Sequence, residues 1–156
     1  MQTNNHAVQE KISQMILSND LVCLEQIKPL SVQKFDTLLV DAEESLSLSV
    51  PDSYRWFLTN YTSVNISGID LGQEIISNRW SFVSETLDYR NWGLETNLIY
   101  LNGDGELMHC LNTDNGAIFN WALDGDDPVK TYDDFYDYLH DLVIDAIEAK
   151  NDKSEI

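Results

Sequence analysis

Apolar residues recur at Val8, Ile12, Met15 and Ile16, steps of three and four that predict a first helix closed by Ser18-Asn19-Asp20. Lys28-Pro29 breaks the chain, and from a Ser31 cap the series Phe35, Leu38, Leu39, Ala42, Leu46 puts one apolar face on a second helix. An alternating stretch from Ser45 to Val50 follows. Pro51 can open a helix without using the N–H it lacks, and Tyr54, Phe57, Leu58 and Tyr61 share one face, so a third helix is predicted from Pro51 to Tyr61. Ile66 to Ile75 reads as an extended segment bent at Gly68 and Gly72, and a helix is predicted from about Asn78 to Asn91.

Three short apolar runs come next, Asn97–Leu101, Glu106–Leu111 and Ala117–Ala122, separated by Asp104-Gly105 and Asn115-Gly116. These dipeptides supply the positive φ angles of tight hairpin turns, so the runs predict a three-stranded antiparallel meander. Thr131 is then expected to cap a last helix whose apolar face is Tyr132, Phe135, Tyr136, Leu139, Leu142, Val143, Ala146 and Ile147. The fold class is α+β: an antiparallel meander sheet flanked by N-terminal helices and a C-terminal helix.

Composition adds bounds rather than detail. A chain of 156 residues with 43% apolar content fits one domain able to bury its own core, with 1–30 as a first helix and connector, a core over about 31–142, and 151–156 as an acidic tail. Residues 1–10 are polar, without the basic and apolar regions of a secretory signal, and no window approaches a membrane span, so the expected location is cytoplasmic. Cys23 and Cys110 lack metal-type spacing and are expected as reduced, buried thiols.

Charge changes the picture more. Between Asn91 and Val129 stand Glu95, Asp104, Glu106, Asp114, Asp124, Asp126 and Asp127 without one Lys or Arg, and residues 91–156 carry a net of −12 out of the chain's −18. On the last helix Asp134, Asp137, Asp141, Asp145, Glu148 and Asp152 follow at steps of three or four, forming one stripe. Like charges so spaced cost an isolated helix about 0.2–0.5 kcal/mol per pair, so the stripe does not serve helix stability. Such a field repels phosphate and attracts cationic surfaces, which disfavours direct nucleic-acid binding and favours a basic protein partner. Simple solubility is the plainer alternative.

No chemistry of catalysis stands out. His109 and Cys110 are adjacent on a predicted strand and so face opposite ways, His140 lies one turn from Asp137, and no carboxylate pair is singled out. The loop starting at Asn112 puts Leu123 where a calcium-binding loop needs a bidentate Glu, so hairpin turns explain it and no metal or cofactor is expected. Most aromatic residues read as core, while Trp80 and Trp92, flanking the middle helix, are candidate partner anchors.

The run Ala42-Glu43-Glu44-Ser45-Leu46-Ser47-Leu48-Ser49-Val50-Pro51-Asp52-Ser53-Tyr54-Arg55-Trp56-Phe57-Leu58 resembles the signature of the SUKH superfamily, in which an acidic helix end leads to Leu-Pro, an aromatic residue and a Phe-Leu pair. Glu43, Leu46, Val50, Pro51, Tyr54, Phe57 and Leu58 fill the matching places. The strand Leu98–Leu101, Leu111-Asn112-Thr113, Trp121, and Tyr132-Asp133-Asp134-Phe135 extend the likeness over roughly Ser31 to Leu142. One departure is Asn60-Tyr61-Thr62-Ser63, which lacks the glycine that usually follows this helix in the family.

The resemblance implies a non-enzymatic α+β protein, and in bacteria an immunity protein that binds and neutralises a cognate toxin domain, often a nuclease. It supplies no contact residues, since Pro51, Tyr54, Phe57 and Trp121 read as core. Charge supplies them instead: Asp104, Glu106, Asp114, Asp124, Asp126 and Asp127 at turns and loops, extended by Asp137 and Asp141, form the expected partner-binding surface for a cationic toxin. An adaptor or regulatory scaffold is the alternative, and an acid-rich hydrolase a third reading. The oligomeric state is left open.

Overall fold

In the computed structural model, which describes residues 3–28, 30–103, 107–122 and 127–154, the apolar steps along the chain become five helices around a four-stranded sheet. Helix α1 spans Thr3–Ser18, and Asp20, in a left-handed conformation, turns the chain away from it. A 3₁₀ turn at Leu24–Gln26 leads to α2, Val32–Leu46, whose cap Ser31 accepts a hydrogen bond from the Lys34 N–H at 3.1 Å. Helix α3 is Asp52–Tyr61, with Pro51 as its N-cap residue.

Ile66–Ile75 is not one extended segment. It is a turn bridged between Ile66 and Ile69, followed by a tight hairpin of β1, Ile75–Ile76, and β2, Arg79–Trp80. Ser77 and Asn78, both at positive φ, make that turn, which is why α4 begins only at Ser81 and runs to Arg90.

The meander has four strands rather than three: β3 Leu98–Gly103, β4 Leu107–Asn112, β5 Ile118–Ala122 and β6 Val129–Tyr132, each paired antiparallel with its neighbour in sequence. Thr131 and Tyr132 belong to β6, so Thr131 does not cap the last helix. Asp134 takes that part by accepting from the Asp137 N–H at 2.8 Å, and α5 spans Phe135–Ser154. Asp104-Gly105 lies outside the described residues. At the next turn Asn115-Gly116 is not a two-residue hairpin: the Asn112 side chain accepts from the Asp114 and Asn115 N–H groups, and only Gly116 has positive φ.

The sheet has two buried faces. Ile99, Leu101, Leu111 and Ile118 face a large core shared with all five helices, while Leu98, Tyr100, Met108, Cys110 and Trp121 form a smaller cluster beneath Tyr89 and Leu94. The pairing register slips between Tyr100 and Asn102, a bulge that bends the end of β3. The large core is centred on aromatic edges: the Tyr54 ring meets Phe82 at 5.1 Å and Phe135 at 5.4 Å, and Phe57 meets Phe135 at 5.5 Å. Each such buried ring contributes roughly 1.5–3 kcal/mol of transfer free energy. The Tyr54 hydroxyl donates to the Leu71 carbonyl at 2.5 Å, and burial holds its pKa well above the usual tyrosine value.

Both cysteines are free, but only Cys110 is buried; Cys23 is exposed in the connector after α1, where few residues cover it. Among the described residues no helix is long and apolar enough to cross a membrane.

Candidate interaction surface

Of the eight acids expected to meet a partner, Asp114, Asp127, Asp137 and Asp141 fall among the described residues and all four are exposed; Asp104, Glu106, Asp124 and Asp126 lie outside them. Strand register separates two of the four. Met108 pairs with both Gly103 and Trp121, so the β5–β6 loop with Asp127 lies at the sheet end where β3 passes to β4, whereas Asp114 sits in the β4–β5 turn at the opposite end. A strand of five or six residues spans about 17–20 Å, roughly twice the physiological Debye length, so these two carboxylates act as separate sites. Asp114 is held in place by the Asn97 side chain, which donates to it at 3.0 Å.

Helix α5 links the two ends. Tyr138 packs against His109 of β4 with ring centroids 5.3 Å apart, and Leu142 and Ala146 reach the ends of β3 and β4. Its other side presents Asp137, Asp141, Asp145, Glu148 and Asp152, all exposed. Their spacing of three and four residues keeps them on one stripe, as the sequence predicts.

Among the described side chains, little neutralises that stripe. Lys150 turns away and donates to the carbonyls of Asn19 and Asp20 at 2.7 and 3.2 Å, closing the C-terminal end of α1. His140, expected beside Asp137, comes nearest to Asp141, at 4.0 Å, and Lys130 pairs with Asp133 at 2.9 Å. Asp141 also accepts from the Tyr132 hydroxyl at 2.9 Å. Partial burial, with Asp134, Asp133 and Asp141 close by, raises the Asp137 pKa, partly countered by His140.

Contrast this with the acids of the N-terminal half. Asp41 holds Arg79 in a two-pronged pair at 2.8 and 2.9 Å, and Glu43 holds Arg55 at 3.1 Å. Those carboxylates tie α2 to the β1–β2 hairpin and to α3. They are structural.

A cleft of about 670 Å³ opens between the Ser67–Asp70 loop, the Glu85 side of α4, the ends of β3 and β4, and the second half of α5. Ile69, Leu101, Leu142 and Ala146 line it with apolar surface, and Asp70, Glu85 and Asp145 add charge from three separate elements. Burial, then Asp70, Asp88 and Glu74, raises the Glu85 pKa. The pattern of the sequence could place Asp145 on a stripe but held no signal that Asp70 and Glu85, from a loop and a different helix, would join it.

The tryptophans divide. Trp80 is fully buried, its Nε1–H donating to Thr62 at 3.2 Å, which removes it as a partner anchor; a Trp placed on a strand just before a helix packs inward against Phe35 and Phe82. Trp92, 71% exposed in the turn after α4, is available. His109 and Cys110 do face opposite sides of β4, and burial pushes the Cys110 thiol up to about 12, so it is no nucleophile at neutral pH. Residues 12–144 match the family model SUKH_5, described as SMI1-KNR4 cell-wall.

Proposed function

Because the chain belongs to the SUKH family, we propose that it is an immunity protein, acting by binding rather than catalysis, whose acidic surface neutralises a cognate cationic toxin domain, a basic nuclease being the best fit. The observation that carries this reading is the α5 stripe, with whose acids no Lys or Arg pairs among the described side chains, Lys150 being engaged on α1 instead. An acidic face of this kind speeds encounter with a basic surface and can occupy the place of nucleic-acid phosphates. Asp137 and Asp141 are its centre, Asp114 and Asp127 are separate contacts at the two ends of the sheet, and Asp104, Glu106, Asp124 and Asp126 are assigned to it from the sequence alone. The family supports a cytoplasmic binding protein equally in a regulatory role.

The test is calorimetric titration with the toxin-like domain encoded beside this gene, at low and high salt. Tight binding that weakens steeply with salt, and falls at least tenfold in Asp137→Lys with Asp141→Lys, is the expected outcome. No heat at either salt would remove that partner. Salt-insensitive binding would favour the adaptor reading instead, for which exposed Trp92 is the supporting observation.

A further inference from the structure

The cleft beside α5 differs from the stripe in shape as well as charge. The acids of the stripe are exposed, so each is weak as an individual contact, and Asp145 belongs to both features. The cleft is concave, with an apolar lining from Ile69, Leu101, Leu142 and Ala146, and with carboxylates contributed by the Ser67–Asp70 loop, α4 and α5. No Lys or Arg is among its lining residues, and among the described residues none of Asp70, Glu85 or Asp145 is paired with a cation. Asp70 is instead fixed by its own turn, accepting from the Gly72 N–H at 3.1 Å, and it adds its negative charge to that of half-buried Glu85.

We propose that this cleft seats a lysine or arginine side chain of the protein partner, the methylene stem against the apolar lining and the charged head beside Asp70 and Glu85, with Asp145 adding negative charge to the same cleft. This rests on the reading that the partner is cationic. Long basic side chains bury their stems while keeping the charge at a polar rim, which is the division of surface found here. A hydrophobic side chain would leave Glu85 desolvated among like charges; a cation relieves that repulsion, so charge complementarity selects the occupant. Leu107, 42% exposed at the mouth, widens the contact beyond the charged head.

The experiment is an amide NMR titration of the full chain with a blocked penta-arginine peptide, using penta-citrulline as the uncharged control of the same shape. Shifts are expected at Gly68, Asp70, Gly103, Leu107 and Ala146 with penta-arginine only. Asp70→Asn with Glu85→Gln should weaken binding about tenfold, and Leu107→Lys, which supplies a resident cation at the mouth, should do the same without touching the acids. Asp141→Asn should change it less than twofold. Shifts confined to the outer face of α5, or affinity unchanged in both cleft variants, would overturn the proposal. The two readings fail separately. Penta-arginine filling the cleft while the neighbouring toxin domain fails to bind would keep the cleft and end that immunity pairing. Equal toxin binding by wild type and Asp70→Asn/Glu85→Gln would end the cleft and keep the immunity reading.

Discussion

Glu43 and Arg55 meet at 3.1 Å across the turn between α2 and α3, and the same Glu43 oxygen accepts the Val50 backbone N–H at 2.8 Å. Arg55 in turn donates to the Val50 carbonyl at 3.0 Å. The residue ahead of Pro51 is thus held at both its N–H and its C=O by a charged pair. Glu43→Ala strips the Val50 N–H of its partner and is expected to cost about 1–3 kcal/mol in urea denaturation. A loss below about 0.5 kcal/mol would show that the pair is only a screened surface contact.

Gly72 has φ +82°, and a Cβ placed there would stand 2.4 Å from Phe82 Cβ. Gly72→Ala combines a left-handed alanine with a clash against the residue that packs on Tyr54. A loss of about 3 kcal/mol is expected, most of it as faster unfolding if this packing forms late. Gly68→Ala, also at positive φ but with open space around it, should cost only the backbone term, about 1 kcal/mol.

Glu85 and Asp137 both have raised pKa values, with burial the first cause in each case. In the window between the ordinary carboxylate value and these raised ones the folded chain binds more protons than the unfolded chain. Stability contributed by these groups is therefore greatest below about pH 4 and is lost as pH rises through the folded-state values. Glu85→Gln is expected to raise stability at pH 7 by about 0.5 kcal/mol, the scale of a relieved like-charge pair, and to flatten the pH dependence above pH 4. Thermal melts at pH 4, 5.5 and 7 check the sign; a variant less stable at pH 7 than wild type would contradict it.

Trp92 and Trp80 should report separately in fluorescence. Trp92→Phe is expected to remove most of the emission that acrylamide quenches readily while changing stability by less than about 0.5 kcal/mol. Trp80→Ala, by contrast, empties a fully buried site and should cost about 3–5 kcal/mol.

Elements with a long, regular apolar step were legible from the chain: α1, α2 with its Ser31 cap, α3, the first three strands of the meander (β3, β4 and β5) and the body of α5. What escaped was set by backbone geometry or by distant packing. Ser77 and Asn78 adopt positive φ without a glycine to announce it, so the β1–β2 hairpin was hidden inside a segment expected to be extended and helical. Ser63 does the same after α3, with φ 58°, so the missing family glycine left the turn itself in place. Strand β6 has exposed Val129, Lys130 and Thr131, an edge pattern without alternation, and it read as a helix start. For the interaction surface, the helical period gave the α5 stripe. It could not show that Lys150 turns away, or that Asp70 and Glu85 line one cleft with Asp145.

The contact of α1 with α5 also has a temporal consequence. Gln9 donates to the Tyr136 hydroxyl at 2.8 Å, joining residues 127 apart in sequence, and Lys150 reaches Asn19 across 131. The meander needs only neighbouring strands, whereas this closure must gather almost the whole chain, the kind of contact that forms slowly. Docking of α1 is therefore expected to add a late clasp to a bearing that α5 already takes from Tyr138 on His109 and from Phe135 on Tyr54 and Phe57, and a partner that reads the acidic stripe meets a helix fixed from both sides.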